Sequence, residues 1–156
     1  MAVYYTSRAY DAPADRIWPI LTDFASWPRW FPNVSAVYFE NGAHAGQGAE
    51  LVAIGDRPDV WTRWQISEWS APSLLICRHV DSNSPMAPMV TAAYLRFELA
   101  DDAEGCTLEV EGGAEGAGFV GGFFLDMTLA PEVRRLLPQL IDAFSDHVVT
   151  RTSEPE

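Results

Sequence analysis

The 156-residue chain has no lysine, and its ten basic side chains are all arginine. Schiff-base chemistry needs a lysine amine, so this class of covalent catalysis is excluded, lysine-anchored pyridoxal phosphate included. The arginine preference itself is explained most simply by coding bias in a GC-rich genome.

Positive charge is scarce as well, because 22 acidic side chains leave a formal net charge of −12. A surface this acidic repels phosphate backbones and anionic lipid headgroups. The composition therefore argues against a nucleic-acid partner and against electrostatic docking on anionic membranes.

Long hydrophobic runs are absent too. No segment approaches the ~20 apolar residues that cross a bilayer, and no basic, apolar leader precedes Tyr4. We expect a cytoplasmic protein without stable membrane insertion. At 48% hydrophobic residues, we expect one domain over residues 1–151 and a disordered tail at 152–156.

Residues that bind metals or act as nucleophiles form no pattern. Cys77 and Cys106 lie in separate predicted strands and are expected to be buried, inert thiols. His44, His79 and His147 are scattered, without metal-ligand spacing, and no G-x-S-x-G elbow appears. We therefore expect no metal, no cofactor and no covalent hydrolase.

A glycine-rich stretch, Gly116–Gly121, matches G-x-G-x-x-G, with Asp142 about 20 residues further on. A Rossmann site opens a βαβ unit, whereas here the following helix ends the fold and contains Asp142. We reject the dinucleotide interpretation. The glycines are better explained as a flexible connection whose Phe119, Phe123 and Phe124 could swing over a cavity entrance, or as a plain loop with aromatics packed on the core.

Aromatic residues and prolines are dense between residues 11 and 34. Pro13 and Asp15 suit the first turn of a helix, because proline loses no hydrogen bond there and the helix dipole favours an anion. The apolar stripe expected on this helix is Ile17, Ile20, Leu21 and Phe24. A second short helix, ended by Pro32, is expected to place three large rings on one side: Trp27, Trp30 and Phe31.

The rest of the chain predicts an antiparallel meander and a final helix. The predicted strands are Val3–Tyr10, Val34–Glu40, Glu50–Ile54, Val60–Trp69, Leu74–Val80, Thr91–Leu99 and Cys106–Glu111. A helix of about 25 residues, with a bend or restart near Pro131, should follow. Its apolar stripe is Leu125, Leu129, Val133, Leu136, Leu137, Leu140, Ile141, Phe144 and Val148.

Alternation along each strand predicts which side chains face inward. Trp64 is placed inside and Arg63 in solvent. The sixth strand turns Ala93, Leu95, Phe97 and Leu99 to one face, and the seventh turns Cys106, Leu108 and Val110. The fifth strand leaves two alternatives open: Leu75, Cys77 and His79 inside, or Leu74, Ile76 and Arg78.

The order of these elements resembles the START-like superfamily, also called SRPBCC or the polyketide cyclase/dehydrase and lipid-transport group. Ala12-Pro13 with Ile17-Trp18, and Trp27-Pro28 with Trp30-Phe31-Pro32, look like its two small helices after the first strand. The resemblance implies an α+β helix-grip fold, in which a seven-stranded curved antiparallel sheet wraps around a long C-terminal helix. It also implies an apolar cavity between them, without naming a ligand.

The function that follows is binding or transport of a hydrophobic small molecule, lipid or polyketide-like, in that cavity. The residues expected to line it are Trp27, Trp30, Phe31, Trp64, Ile66, Cys77, Met86, Met89, Leu95, Phe97, Phe123 and Met127. Methionine adapts to irregular apolar shapes, so Met86 and Met89 suit a lid, with edge packing as an equal alternative.

A polyketide cyclase or dehydratase using the same cavity is the alternative. An inward-facing His79 would have its pKa lowered by burial and could act as a base, although a satisfied core histidine is the more common case. By alignment, Val34, Ile66 and His79 occupy positions where aromatase/cyclase members carry pocket arginines or a tyrosine, so their acid/base set is not reproduced. A protein-interaction module and a homodimer also stay open.

Overall fold

The computed structural model describes residues 2–84, 90–116 and 130–153. Strands alternate with short helices and 3₁₀ helices before a long final helix. In chain order these are β1 (Ala2–Tyr10), α1 (Ala14–Leu21), the 3₁₀ helix η1 (Phe24–Arg29), β2 (Ala36–Phe39), the 3₁₀ helix η2 (Glu40–Gly42), β3 (Glu50–Ile54), β4 (Trp61–Ser70), β5 (Leu74–Ser82), β6 (Val90–Asp102), β7 (Gly105–Gly116) and α2 (Ala130–Ser153).

The strands form one antiparallel sheet in the order β1-β7-β6-β5-β4-β3-β2. Consecutive strands from β2 to β7 pair as a meander, and β1 closes against β7. α2 packs against β1 and β7, whereas η1 packs against β2. The helix-grip fold expected from the sequence is confirmed. α2 and η1 cover opposite ends of the sheet's inner face, and the middle of that face lies between them.

The core lies between α2 and the inner face of the sheet. α2 buries Leu137, Leu140, Ile141, Phe144 and Val148. The inner face of β6 and β7 buries Phe97, Leu99, Cys106, Leu108 and Val110, as alternation predicts. On β5, Leu75 and Cys77 are buried and Arg78 is exposed, which decides between the two alternatives in favour of the first.

The first helix is shorter than its predicted stripe. α1 ends at Leu21, where both the backbone N–H and the hydroxyl of Thr22 donate to the Trp18 carbonyl, at 2.9 and 2.8 Å. Phe24 therefore begins η1 instead of extending α1. η1 ends at Arg29, so Trp30 and Phe31 follow the 3₁₀ helix and do not belong to a second α-helix.

Two irregularities alter the alternation expected on β4. A bulge between Ile66 and Glu68 shifts the register, so Trp69 pairs with the buried Leu75 and packs its ring 5.1 Å from that of Trp18. A second shift lies between Arg63 and Trp64.

The expectation that Arg63 would lie in solvent was wrong in part. Its side chain is on the outer face but only 25% exposed. It pairs with Glu40 at 3.0 Å and Asp81 at 2.5 Å, and its guanidinium lies 5.0 Å from the centre of the Trp61 ring. Charge pairing and ring contact hold the arginine against the sheet.

The final helix is longer at its C-terminal end than expected. The predicted bend or restart near Pro131 stays a prediction, because residues 117–129 lie outside the described residues. Pro131 lies in the first turn of α2 as described, and Leu125 and Leu129 fall outside the described residues. α2 runs to Ser153, so residues 152 and 153, assigned to a disordered tail, are helical. In the ranges that the structure describes, no helix has the length and hydropathy needed to cross a membrane.

Gly105 fills a position that no other residue fits well. Its φ is +151°, and a Cβ would lie 2.1 Å from the Tyr10 carbonyl oxygen. Gly105→Ala is expected to lower the free energy of unfolding by at least about 2 kcal/mol, since it adds a backbone clash to an unfavourable conformation. Urea denaturation measures this.

The matched control is Gly46→Ala, because a Cβ at Gly46 meets nothing within 4 Å. It should change the stability by less than about 1 kcal/mol. Equal losses from the two variants would contradict the close approach at Gly105.

Candidate ligand-binding cavity

A cavity of about 230 Å³ opens between η1, the middle of the sheet and α2. Leu51 and Cys77, each 2% exposed, mark its closed end, whereas the exposed Asn33 marks the part that meets solvent. The described lining residues are Trp27, Phe31, Pro32, Asn33, Val34, Leu51, Ala53, Ile54, Gly55, Val60, Thr62, Trp64, Cys77, Leu95 and Leu136.

One wall is aromatic. Trp27 and Phe31 stack almost parallel, at an interplanar angle of 8° with 5.3 Å between centroids. The Trp27 indole N–H donates to the Leu21 carbonyl at 2.9 Å, which fixes the ring. The hydrogen bond leaves the indole without an unsatisfied donor, so the wall presents apolar surface.

The segment carrying this wall is tied to the end of α2. Asp23, the residue before η1, accepts hydrogen bonds from Ser26 at 2.7 Å and from Arg151 at 2.9 Å. Burial alone would raise the pKa of the Asp23 carboxyl, but these hydrogen bonds and the Arg151 charge lower it overall. The ionised carboxylate therefore links η1 to the C-terminal part of α2 at the edge of the core, where both side chains are partly exposed.

The wall formed by β3, β4 and their connection, here called the small-residue wall, contains several small side chains. Ala53 of β3 pairs with Thr62 of β4, and both lie on the inner face with Trp64. Gly55 and Val60 continue this wall where its two strands meet. The space exists because these residues do not reach across to the aromatic wall.

Polar groups on the lining are few and uncharged. They are the Asn33 amide, the Thr62 hydroxyl, the Cys77 thiol and the indole N–H groups of Trp27 and Trp64, of which the Trp27 group is bonded to the Leu21 carbonyl. Burial raises the pKa of the Cys77 thiol to about 12, so it is a neutral thiol at physiological pH. Cys77 is the only titratable residue among the described lining residues.

His79, the predicted catalytic residue, lies beside the cavity without lining it. Its ring meets Trp64 edge-to-face, 5.6 Å between centroids, and it is partly exposed. Burial lowers the pKa of the imidazole, while the nearby Asp81 carboxylate opposes this effect. With its pKa lowered, the imidazole is neutral at pH 7. The Trp64 ring lies between it and the cavity.

The structure brings together five of the predicted lining residues: Trp27, Phe31, Trp64, Cys77 and Leu95. Trp30, Ile66 and Phe97 are instead at most 2% exposed and belong to the core. Trp30 turns toward α2, where its ring packs 4.8 Å from that of Phe144. Met86, Met89, Phe123 and Met127 lie outside the described residues.

Sequence reasoning missed most of the small-residue wall. Ala53, Gly55, Val60 and Leu51 carry no chemical signal, and only their strand positions could have suggested that they face inward. Within the described ranges, no group of three or more His, Cys, Asp or Glu side chains is arranged to hold a metal ion.

The profile of the family described as polyketide cyclase / dehydrase and lipid transport matches residues 1–149. The chain belongs to this family. No curated protein sequence gives a significant match to this chain.

Solved structures show the same fold at low identity. A Thermus thermophilus protein is 13% identical, with a TM-score of 0.73 over 97% of this chain and 99% of its own. A START superfamily protein from Mycobacterium smegmatis is 15% identical, with a TM-score of 0.65 over 96% and 95%. The di-domain ARO/CYC StfQ from the steffimycin biosynthetic pathway is 14% identical, with a TM-score of 0.64 over 96% of this chain and 48% of its own.

The environment of His79 predicts its titration. Because burial outweighs the Asp81 charge, the NMR midpoint of its imidazole should fall below the ordinary pKa of 6.5. His79→Gln identifies the resonance by its loss, and Asp81→Asn should lower the midpoint further. A midpoint at or above 6.5 would show that the carboxylate dominates.

Proposed function

We propose that this member of the polyketide cyclase / dehydrase and lipid-transport family binds a hydrophobic small molecule in the cavity between η1 and the sheet. The observation that carries the proposal is a cavity of about 230 Å³ whose described lining is mostly apolar, with a few uncharged polar groups and no charged side chain. Ligand pockets in proteins are mostly apolar, with a few polar groups that fix orientation.

The size and shape of the cavity suit a molecule with one or two rings. An apolar cavity of about 150 Å³ admits benzene, and this one is larger. Phe31 lines the cavity with its ring stacked on that of Trp27, so a planar ligand can pack against an aromatic pair there. With its polar part near the exposed Asn33 and its apolar part near Leu51, a ligand would leave no polar group unpaired at the closed end.

Filling the cavity should remove binding. In Ala53→Phe, a ring extends from the small-residue wall toward Trp27, so the neutral dye N-phenyl-1-naphthylamine should bind at least about tenfold more weakly. Dye fluorescence measures the affinity. Mass spectrometry of gently purified protein should likewise find a co-purified small molecule in the wild type but not in the variant.

The control is Ala36→Phe, which adds the same ring at an exposed position of the neighbouring strand β2. Its affinity should match the wild type. Circular dichroism confirms that both variants fold, and unchanged binding by a folded Ala53→Phe would contradict the proposed site.

A cyclase or dehydratase activity is the second candidate, supported by the neutral His79 against the cavity wall. The ARO/CYC neighbour StfQ shares the fold. The cavity itself supports binding more strongly, because its described lining contains no carboxylate, histidine or arginine that could move a proton.

One substitution separates the two candidates. If the protein only binds, His79→Gln should keep the affinity for a co-purified ligand within about threefold, and that ligand should leave the protein unchanged. Conversion of the ligand by the wild type, lost in His79→Gln with binding retained, would establish the enzyme instead. Chromatography of the released ligand distinguishes these results.

A further inference from the structure

Every basic side chain of this protein lies outside the cavity. All ten arginines and all three histidines fall within the residues that the structure describes, and none of them lines the cavity. Residues 85–89 and 117–129 contain no Arg, Lys or His, so those segments add no basic side chain either. The cavity therefore offers no cationic side chain to a bound anion.

The pleat of the sheet explains part of this segregation. Arg63, Arg78 and Arg96 directly neighbour Trp64, Cys77 and Phe97 in the chain. Strand alternation turns each arginine to the outer face when its neighbour faces inward. Arg63 and Arg96 there engage Glu40, Asp81, Glu98 and Glu109.

The polar groups that do line the cavity are uncharged and can only form hydrogen bonds. The Thr62 hydroxyl and the Asn33 amide can hydrogen-bond a hydroxyl or carbonyl group. Neither can neutralise a carboxylate, and an ion moved from water into an apolar site needs a counter-charge. The net charge of −12 adds a repulsive field at the opening.

Resting on the proposed function, we infer that the cavity selects uncharged ligands, phenols, alcohols and ketones with one or two rings, and rejects the corresponding carboxylates. Free fatty acids and aromatic acids are then poor ligands at neutral pH. The selection follows from the missing counter-charge and needs no steric difference between the two kinds of molecule.

The test compares 2-naphthol with 2-naphthoate, which share a ring system but are neutral and anionic at pH 7. Calorimetry should show 2-naphthol binding at least about tenfold more tightly. Ala53→Phe should abolish the binding of 2-naphthol, which assigns it to the cavity.

Adding the missing charge should reduce or remove the preference for the neutral compound. Thr62→Lys places an ammonium group on the lining, and the 2-naphthol to 2-naphthoate affinity ratio should fall at least about tenfold. Tyr38→Lys adds the same charge on the exposed face of β2, where Tyr38 is 52% exposed, and should leave the ratio within about threefold.

The outcomes separate the two proposals. Equal affinity for both compounds, or tighter binding of 2-naphthoate by the wild type, overturns the charge selection and leaves the proposed function standing. Equal changes of the ratio in Thr62→Lys and Tyr38→Lys also overturn it, because net charge would then replace the lining as the cause. If N-phenyl-1-naphthylamine and both compounds fail to bind, the proposed function falls, and the selection falls with it. If the dye binds and neither compound does, only the inferred selection is overturned.

Discussion

The fold depends on an aromatic cluster, Trp27, Trp30 and Phe31, that packs against the core on one side and borders the cavity on the other. Trp30 packs against Phe144 of α2 with 4.8 Å between centroids, whereas Trp27 and Phe31 stack together beside the cavity. Trp27 also contacts the buried Phe97 of β6 at 5.8 Å. One ring is therefore shared by the core and the cavity wall. A ligand that packs on this ring stabilises the native state, since it binds the folded chain and not the unfolded one.

The cavity arises from how the sheet is covered. α2 packs on β1 and β7, and η1 packs on β2, so the inner face of the strands between them is covered from two sides. Large side chains fill the space under α2. Ala53, Gly55 and Thr62 lie between α2 and η1, where they leave the cavity open. Filling this space with bulkier residues would add apolar burial, so the cavity costs stability, and a ligand bound there would restore part of it. Asp23 and Arg151 hold the coverings together from outside, leaving the space between them apolar.

The strands could be predicted because a sheet with one buried face alternates regularly, and the burial of Leu75, Phe97 and Leu108 follows that rule. Where a bulge breaks the rule, as before Trp69, no local pattern shows the new direction. The aromatic block was recognisable from composition, but spacing could not tell that Trp30 turns to α2 while Trp27 faces the cavity, since tertiary packing decides between neighbouring rings. Small lining residues such as Ala53 could not be predicted in this way, because a cavity forms where side chains are too short to fill the space, and sequence spacing does not show where that happens.

The outward position of the arginines and the uncharged lining of the cavity both follow from the alternation of side chains along the strands. A strand that places an arginine next to an inward-facing residue must direct that arginine outward, and there the surplus of carboxylates supplies partners, as Glu40 and Asp81 do for Arg63. A basic group on the inner face would need an acidic partner in the cavity or a charged ligand, and the lining offers Cys77 only as a neutral thiol. The same alternation that builds the sheet thus separates paired charges outside from an uncharged interior, and the proposed selection of uncharged ligands rests on this separation.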